Sequence, residues 1–338
     1  MKKCREGLDE TILEPELPIV DAHHHLFDRP ALRYMLEDYL EDATAGHRIV
    51  ASIYSETLSF VRPNGPEHLR PLGEVEFANG VGAMAASGRY GDIKVCHGMI
   101  GHADMRQGDK IADLLDQSMA LAPTRFCGVR HITMEHWSEE PYKFMSIRPE
   151  PGLMSHPNFH KAFLHVAERK LVFDAAVFSH QLPEVCALAD AFPDTSITLN
   201  HLGVAMGLGI SAAEKAELYI DWKKQLAQVA ERHNITCKVG GLGMPLWGFG
   251  FEEWDNPTTY LDLADAWRPY VEVGIELFGP DRCMMESNFP PDGRSGGFVP
   301  TWNALKHIAR AASDDEKAAM FHKTALSVHG LVLPELLE

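Results

Sequence analysis

Short apolar runs rich in β-branched residues alternate with longer stretches of helical periodicity along most of the chain. The short runs are "PIVDAHHH" (18–25), "RIVASIYSE" (48–56), "IKVCHGMIG" (93–101) and "FCGVRHI" (126–132), followed by "LVFDAAVFSH" (171–180), "SITLNHLG" (196–203), "NITCKVGG" (234–241) and "RCMMESNF" (282–289). Each reads as a buried strand. Between the later ones, "PNFHKAFLHVAERK" (157–170) sets Phe159, Phe163 and Val166 on one helical face. "LPEVCALADAF" (182–192) opens on a proline in its first turn. "AAEKAELYIDWKKQLAQVAERH" (212–233) aligns Leu218, Trp222, Leu226 and Val229. Strands alternating with helices predict an α/β fold, a (β/α)8 TIM barrel. A doubly wound open sheet is the alternative. No linker rich in proline, glycine and serine divides the chain, and no short repeat is present.

In a (β/α)8 barrel, reactive groups sit at the C-terminal ends of the strands. Unusual polar residues cluster where those ends are expected: His23 and His25, Glu56, His97 and His102, Arg130 and His131, His180, His201, Lys238 and Asn288. The intervals after the second, fourth, seventh and eighth strands are long enough to cover a site.

Composition narrows the partners. The formal net charge is −17, and so acidic a surface repels nucleic acid and anionic membrane. One local arginine can still bind an anionic small molecule in a cleft. No apolar run is long enough to span a bilayer, and the basic start "MKKCREGLDETILEPELP" has no apolar segment behind it. The six cysteines are scattered and form no C-x-x-C. They read as reduced core residues of a cytoplasmic protein. A homo-oligomer is left open.

The stretch "IVDAHHHLFD" (19–28) carries the first specific chemistry. Side chains alternate along a strand, so His23 and His25 share one face and His24 takes the other. Two imidazoles on an inner face can grip one metal ion, with Asp21 supporting them from two residues earlier. Hydrogen-bonded strand-end histidines without a ligand are the alternative.

"IVDAHHHLFD", "GVRH", "FSHQLPEV", "LNHLG" and "CMMESNFPPD" together resemble the amidohydrolase-related branch of the amidohydrolase superfamily. Within it they are most similar to TIM-barrel metal-dependent hydrolases related to 2-pyrone-4,6-dicarboxylate lactonase and sugar lactonases. The resemblance runs from about residue 18 to residue 330. It implies one barrel domain over residues 1–338, with 1–17 as an N-terminal extension. It also implies hydrolysis, most often of a lactone, here expected on a small carboxylated substrate. Decarboxylation or C–C hydrolysis on the same scaffold is the alternative, and a binding protein that kept the barrel but lost the base is a third.

Carried over by position, the resemblance makes His23, His25 and His180 ligands of one divalent ion, expected to be Zn²⁺, with Glu56 as an available carboxylate. Metal-free catalysis, as in relatives of the pyrone lactonase type, is the alternative. His201 would polarise a carbonyl or orient water, and Arg130 would contact a carboxylate or carbonyl. The departure lies at the eighth strand. Relatives commonly carry Ser-Asp-Trp-Pro there, whereas this chain has Ser287, Asn288, Phe289 and Pro290. An amide cannot take a proton from water. Asp292 and Glu286 are the candidate replacement bases, and Asn288 would position water or substrate.

The glycine-rich stretch "VGGLGMPLWGFGF" (239–251) could wall a planar substrate with Trp247, or pack its aromatics on the barrel rim. "PPDGRSGGF" (290–298) lacks the G-K-[ST] of a phosphate loop. Its Arg294 could clamp a carboxylate. For Lys238 the choice is between a buried ion pair and carbonyl polarisation.

Overall fold

The computed structural model describes residues 10–145 and 147–336. Its parallel strands are β1 (Ile19–His24), β2 (Ile49–Ser55), β3 (Lys94–His102), β4 (Phe126–Arg130), β5 (Val172–Ala175), β6 (Ile197–Leu199), β7 (Ile235–Val239) and β8 (Cys283–Met285). They pair in chain order within a single sheet. Helices intervene: α1 (Leu36–Ala43), α2 (Leu72–Ala86), α3 (Ile111–Leu121), α4 (Pro157–Glu168), α5 (Leu182–Ala191), α6 (Ala212–Ala230) and α7 (Tyr260–Phe278), with α8 (Phe298–Ile308) after the last strand. The ring closes just past β8. There the Asn288 amide donates to the His23 carbonyl at 2.9 Å and the His25 amide to the Phe289 carbonyl at 2.8 Å. The architecture is the (β/α)8 barrel that the alternation implied.

The helical pattern resolves as expected. Phe159, Phe163 and Val166 of α4 are fully buried, as are Trp222, Leu226 and Val229 of α6. Ser211 and Glu214 cap the start of α6 reciprocally, with the Ser211 amide donating to the Glu214 carboxylate at 2.8 Å. Two apolar layers result. One fills the space between strands and helices. The other lies inside the barrel, where Val20, Ala22, Ile53, Ile100 and Met284 meet Leu331 and Leu333 of the C-terminal tail. His97 belongs to this region, its Nε2 lying 3.0 Å from the Val332 carbonyl. The N-terminal extension is tied to α8, where Lys306 Nζ donates to the carbonyls of Leu13 and Glu14, both at 2.9 Å. Among the described residues no helix is long and apolar enough to cross a membrane.

Two details depart from simple alternation. The register of β1 against β2 shifts between Asp21 and His24. Val20 and Ala22 face the barrel interior, while Asp21 reaches Tyr39 of α1 at 3.0 Å. Asp21 therefore does not share the face of His23. An irregularity in the strand switches the alternation before the histidines. The second departure is β5, which ends at Ala175 and not near residue 180. Beyond it the Phe178 amide donates to the Gln181 side chain at 3.2 Å, and Gln181 Nε2 donates to the Thr133 carbonyl at 2.8 Å.

Burial holds several imidazoles neutral. It lowers His24 to about 3, His47 to about 4, His131 to about 3 and His329 to about 4. The unfolded chain binds protons at these rings below about 6.5, and the folded chain does not, so stability falls as pH drops through that value. Asp21 and Asp42, raised to about 6 by burial, oppose this mainly below pH 6. Urea denaturation should therefore show a loss of about 2 kcal/mol between pH 7 and pH 6. A flat or rising midpoint over that interval would contradict the assignment of neutral buried histidines.

Candidate active site

The irregularity in β1 sends His23 and His25 into the mouth of the barrel. His24 goes outward against Tyr39, with ring centroids 4.2 Å apart. His25 Nδ1 donates to the Ser55 carbonyl at 2.9 Å, which leaves Nε2 bare. That nitrogen lies 3.0 Å from His23 Nε2. Burial, reinforced by Lys238 and other charged neighbours, pushes the His23 pKa well below its ordinary value. Burial and then Arg130 do the same to His25. Both rings are thus neutral near pH 7, the form that binds metal.

Two protein cations flank His23. Lys238 Nζ lies 3.2 Å from Nδ1 and donates to Asp174 Oδ2 at 2.6 Å. Burial alone would raise the Asp174 pKa, but Lys238, His329 and Asn200 together outweigh it and the carboxyl is held below its ordinary value. Lys238 is therefore the buried ion pair, centred on β7. On the other side Arg130 Nη1 lies 3.3 Å from His23 Nε2. Arg130 is itself locked by Glu56, donating through Nε to the carboxylate and through Nη2 to the backbone carbonyl, each at 2.9 Å. Glu56 Oε2 is buried and lacks a hydrogen-bond partner.

β6 and β8 supply the remaining pair. His201 Nδ1 lies 2.6 Å from Glu286 Oε1, and Glu286 Oε2 lies 3.4 Å from His23 Nδ1. The carboxylate accepts from the Nδ1–H of His201, the tautomer that leaves a lone pair on Nε2. His201 sits at φ +52° and Asn288 at φ +49°. Such left-handed positions cost energy in non-glycine residues and cluster at functional sites. The two glycines after β7 make room. A Cβ on Gly241 would come within 2.2 Å of His201 Nδ1, and one on Gly240 within 2.4 Å of Glu286 Cγ. The use of these glycines is close approach. A glycine pair directly after a strand was the available signal.

A cavity of about 120 Å³ opens above this floor. His25, Glu56, Arg130, His201 and Asn288 line it. Other expected residues lie elsewhere. His180 stands in a single 3₁₀ turn, exposed, with its ring 5.1 Å from Trp137. It does not join His23 and His25, because β5 ends before reaching it. Trp247 is buried in the rim, where its Nε1 donates to the Gly241 carbonyl at 3.0 Å. Asp292 has both oxygens engaged, by the Gly243 amide at 2.8 Å and by Asn288 Nδ2 at 2.7 Å. It ties the loop after β7 to the loop after β8, a fastening and not a free base. Arg294 lies over Phe144, 5.4 Å from its ring centroid. His102 and His131 meet edge to face, 5.2 Å apart. The sequence reading also missed Thr57, Ile132, Met134, Met244 and Leu246, which line the cavity and whose residue types carry no distinctive signal.

The donor set suits a divalent ion in part. Tetrahedral zinc with bonds of 2.0–2.1 Å sets neighbouring nitrogens about 3.3 Å apart, near the separation of the His23 and His25 Nε2 atoms. Among the described residues, His23, His201 and Glu286 also offer ligand atoms within 4.8 Å of one another.

Ionisable groups from several strands are gathered in one cavity at their C-terminal ends, the face on which barrel enzymes carry their sites. The chain matches the family model for amidohydrolases over residues 20–331 and belongs to that family. It is 30% identical to protein y4mH of Sinorhizobium fredii over 336 residues, 93% of this chain and 99% of that one. Against the L-fucono-1,5-lactonase of Burkholderia multivorans it is 23% identical over 164 residues, covering 48% of this chain and 52% of the lactonase. An amidohydrolase structure from Burkholderia multivorans with bound HEPES superposes at a TM-score of 0.68. Its identity is 20%, with 93% of this chain and 99% of that one covered. A zinc-bound amidohydrolase structure from the same organism superposes at 0.64, with 18% identity and the same coverage.

The glycine packing leads to a contrast within one substitution type. Gly240→Ala and Gly241→Ala should each lower the free energy of unfolding by about 1–3 kcal/mol, because a methyl group enters filled space. Gly80→Ala, inside α2 with open space around it, should be neutral or stabilising by up to about 1 kcal/mol. Urea denaturation of the three variants measures this.

Proposed function

We propose that this chain is a hydrolase that opens a lactone by water attack at the carbonyl carbon. The observation that carries the reading is the 2.6 Å contact between Glu286 and His201, on the floor of a cavity that also presents Arg130. A histidine whose one nitrogen is held by a carboxylate is built to take a proton at the other.

In the proposed reaction the lactone carbonyl oxygen sits at Arg130. Two of this arginine's nitrogens are spent on Glu56; Nη1 lies 3.3 Å from His23 Nε2 and has a second N–H to offer the substrate. Water adds to the carbonyl carbon and gives a proton to His201 Nε2. Glu286 accepts from Nδ1–H throughout and stabilises the imidazolium. The oxyanion gathers charge beside the guanidinium, where a fixed donor strengthens as the reaction proceeds. Collapse breaks the bond to the ring oxygen, which leaves with the proton held by His201. The product is a hydroxy acid. Glu286 thus fills the place left by the strand-eight amide, acting through His201. Asn288 is held by Asp292 beneath the site. A divalent ion bound by His23 and His25 would polarise the same carbonyl.

Replacing either member of the pair should remove general-base catalysis. His201→Asn and Glu286→Gln should each lower kcat by about 10²–10⁴-fold while leaving the circular dichroism spectrum unchanged. The pH–rate profile of Glu286→Gln should differ in shape from wild type. Arg130→Lys keeps the charge but loses the planar fork, and should lower kcat/KM by roughly tenfold or more. Full activity in either pair variant would end this assignment. Release of CO₂ in place of one proton per turnover would identify decarboxylation instead.

The metal is tested separately. Protein purified without chelator should carry near one equivalent of Zn²⁺ by elemental analysis, and His25→Ala should lose it. Metal-free protein with full activity would leave Arg130 as the sole electrophile and keep the hydrolase reading.

A further inference from the structure

Above its polar floor the cavity is walled by apolar side chains: Phe27, Ile132, Met134, Phe144, Met244 and Leu246. Of the described arginines and lysines, only Arg130 lines the cavity, and its charge is matched by Glu56 at 2.9 Å. Arg294, the other arginine expected to meet a carboxylate, lies against the Phe144 ring. His25, Glu56, His201 and Asn288 belong to the floor; in the wall Thr57 adds a polar side chain, and its hydroxyl already donates to Glu74 at 2.7 Å. A polyol would leave several hydroxyl groups facing carbon here, and each unpaired buried polar group carries a desolvation cost. A dicarboxylate would bring two negative charges to one neutralised cation.

We infer that the substrate is a neutral lactone with an apolar substituent of a few carbons, its ester at Arg130 and His201 and its substituent against the methionine-rich wall. Methionine suits such a wall because its thioether chain adapts to irregular shapes. This replaces the expectation of a carboxylated substrate and rests on the hydrolase reading above.

The test uses the full-length protein and two parallel series. The first is kcat/KM for δ-valerolactone and its 5-methyl, 5-ethyl and 5-propyl homologues, set beside an aldonic acid lactone and 2-pyrone-4,6-dicarboxylate. The second is calorimetric binding of the matching 6-alkyl δ-lactams, which have the same shape and resist hydrolysis. Each added methylene should raise both kcat/KM and lactam affinity by about three- to fourfold until the cavity is full. Met244→Asp and Leu246→Asp should flatten both series. Preference for the polyol or the dicarboxylate, or no gain along the alkyl series, would overturn the inference and leave the hydrolase reading standing. Lactams that bind with these increments, alongside lactones that are not hydrolysed, would uphold the wall and overturn the hydrolase reading.

Discussion

Closure of the barrel between its first and last strands decides whether a site exists at all. His23 and His25 lie at the end of β1, and Glu286 follows β8, so they are far apart in the chain and meet only at the seam. Asp21 holds that seam with one carboxylate. It accepts from the Ser287 amide at 2.8 Å and from the Ser287 hydroxyl at 2.6 Å, with Tyr39 adding a third donor at 3.0 Å. Burial raises this carboxyl to about 6, against the lowering effect of its donors. The donors belong to a loop and a helix, so one side chain fixes a strand end, a neighbouring loop and α1 together. From there the Asn288 amide reaches the His23 carbonyl, and Glu286 is set against His23 and His201.

Buried charge organises what the seam brings together. Asp174 with Lys238, and Glu56 with Arg130, place two ion pairs around His23. A buried pair contributes little net stability, because desolvation of two ions offsets their attraction. Its use here is geometric. Each pair presents a fixed cation to one side of the same imidazole, which stays neutral between them. Preorganised charge of this kind need not rearrange as charge develops during a reaction.

The cavity divides into two chemical halves. Strand ends provide a polar floor whose groups are mostly committed to one another. Loops provide a wall of carbon and sulfur. The two halves follow a division typical of barrel folds, in which loops vary over a constant frame.

The barrel was legible in the sequence because its cause is local and repeated. Strands covered on both faces must be continuously apolar, helices between them must carry one apolar stripe, and both periodicities can be read directly. The histidines at the end of β1, Arg130 and His201 were legible as candidates because polar groups at strand ends are unusual, and Glu286 as a replacement base because an amide, Asn288, stands where relatives carry a carboxylate. What the sequence could not decide was direction and distance. Asp21 lost its expected face to an irregular register, which periodicity cannot foresee. His180 fell outside because β5 ends at Ala175 and the chain has passed into a 3₁₀ turn before reaching it. Asp292 stood as a candidate base until the Gly243 amide and Asn288 were seen to occupy both its oxygens. The pairing of Glu286 with His201 joins residues 85 positions apart, through space that two glycines leave open. Sequence by itself determined the frame and the set of reactive groups, since these follow from local patterning. Tertiary structure alone decided which groups meet, because a hydrogen bond depends on tenths of an ångström set by packing from every side of the barrel.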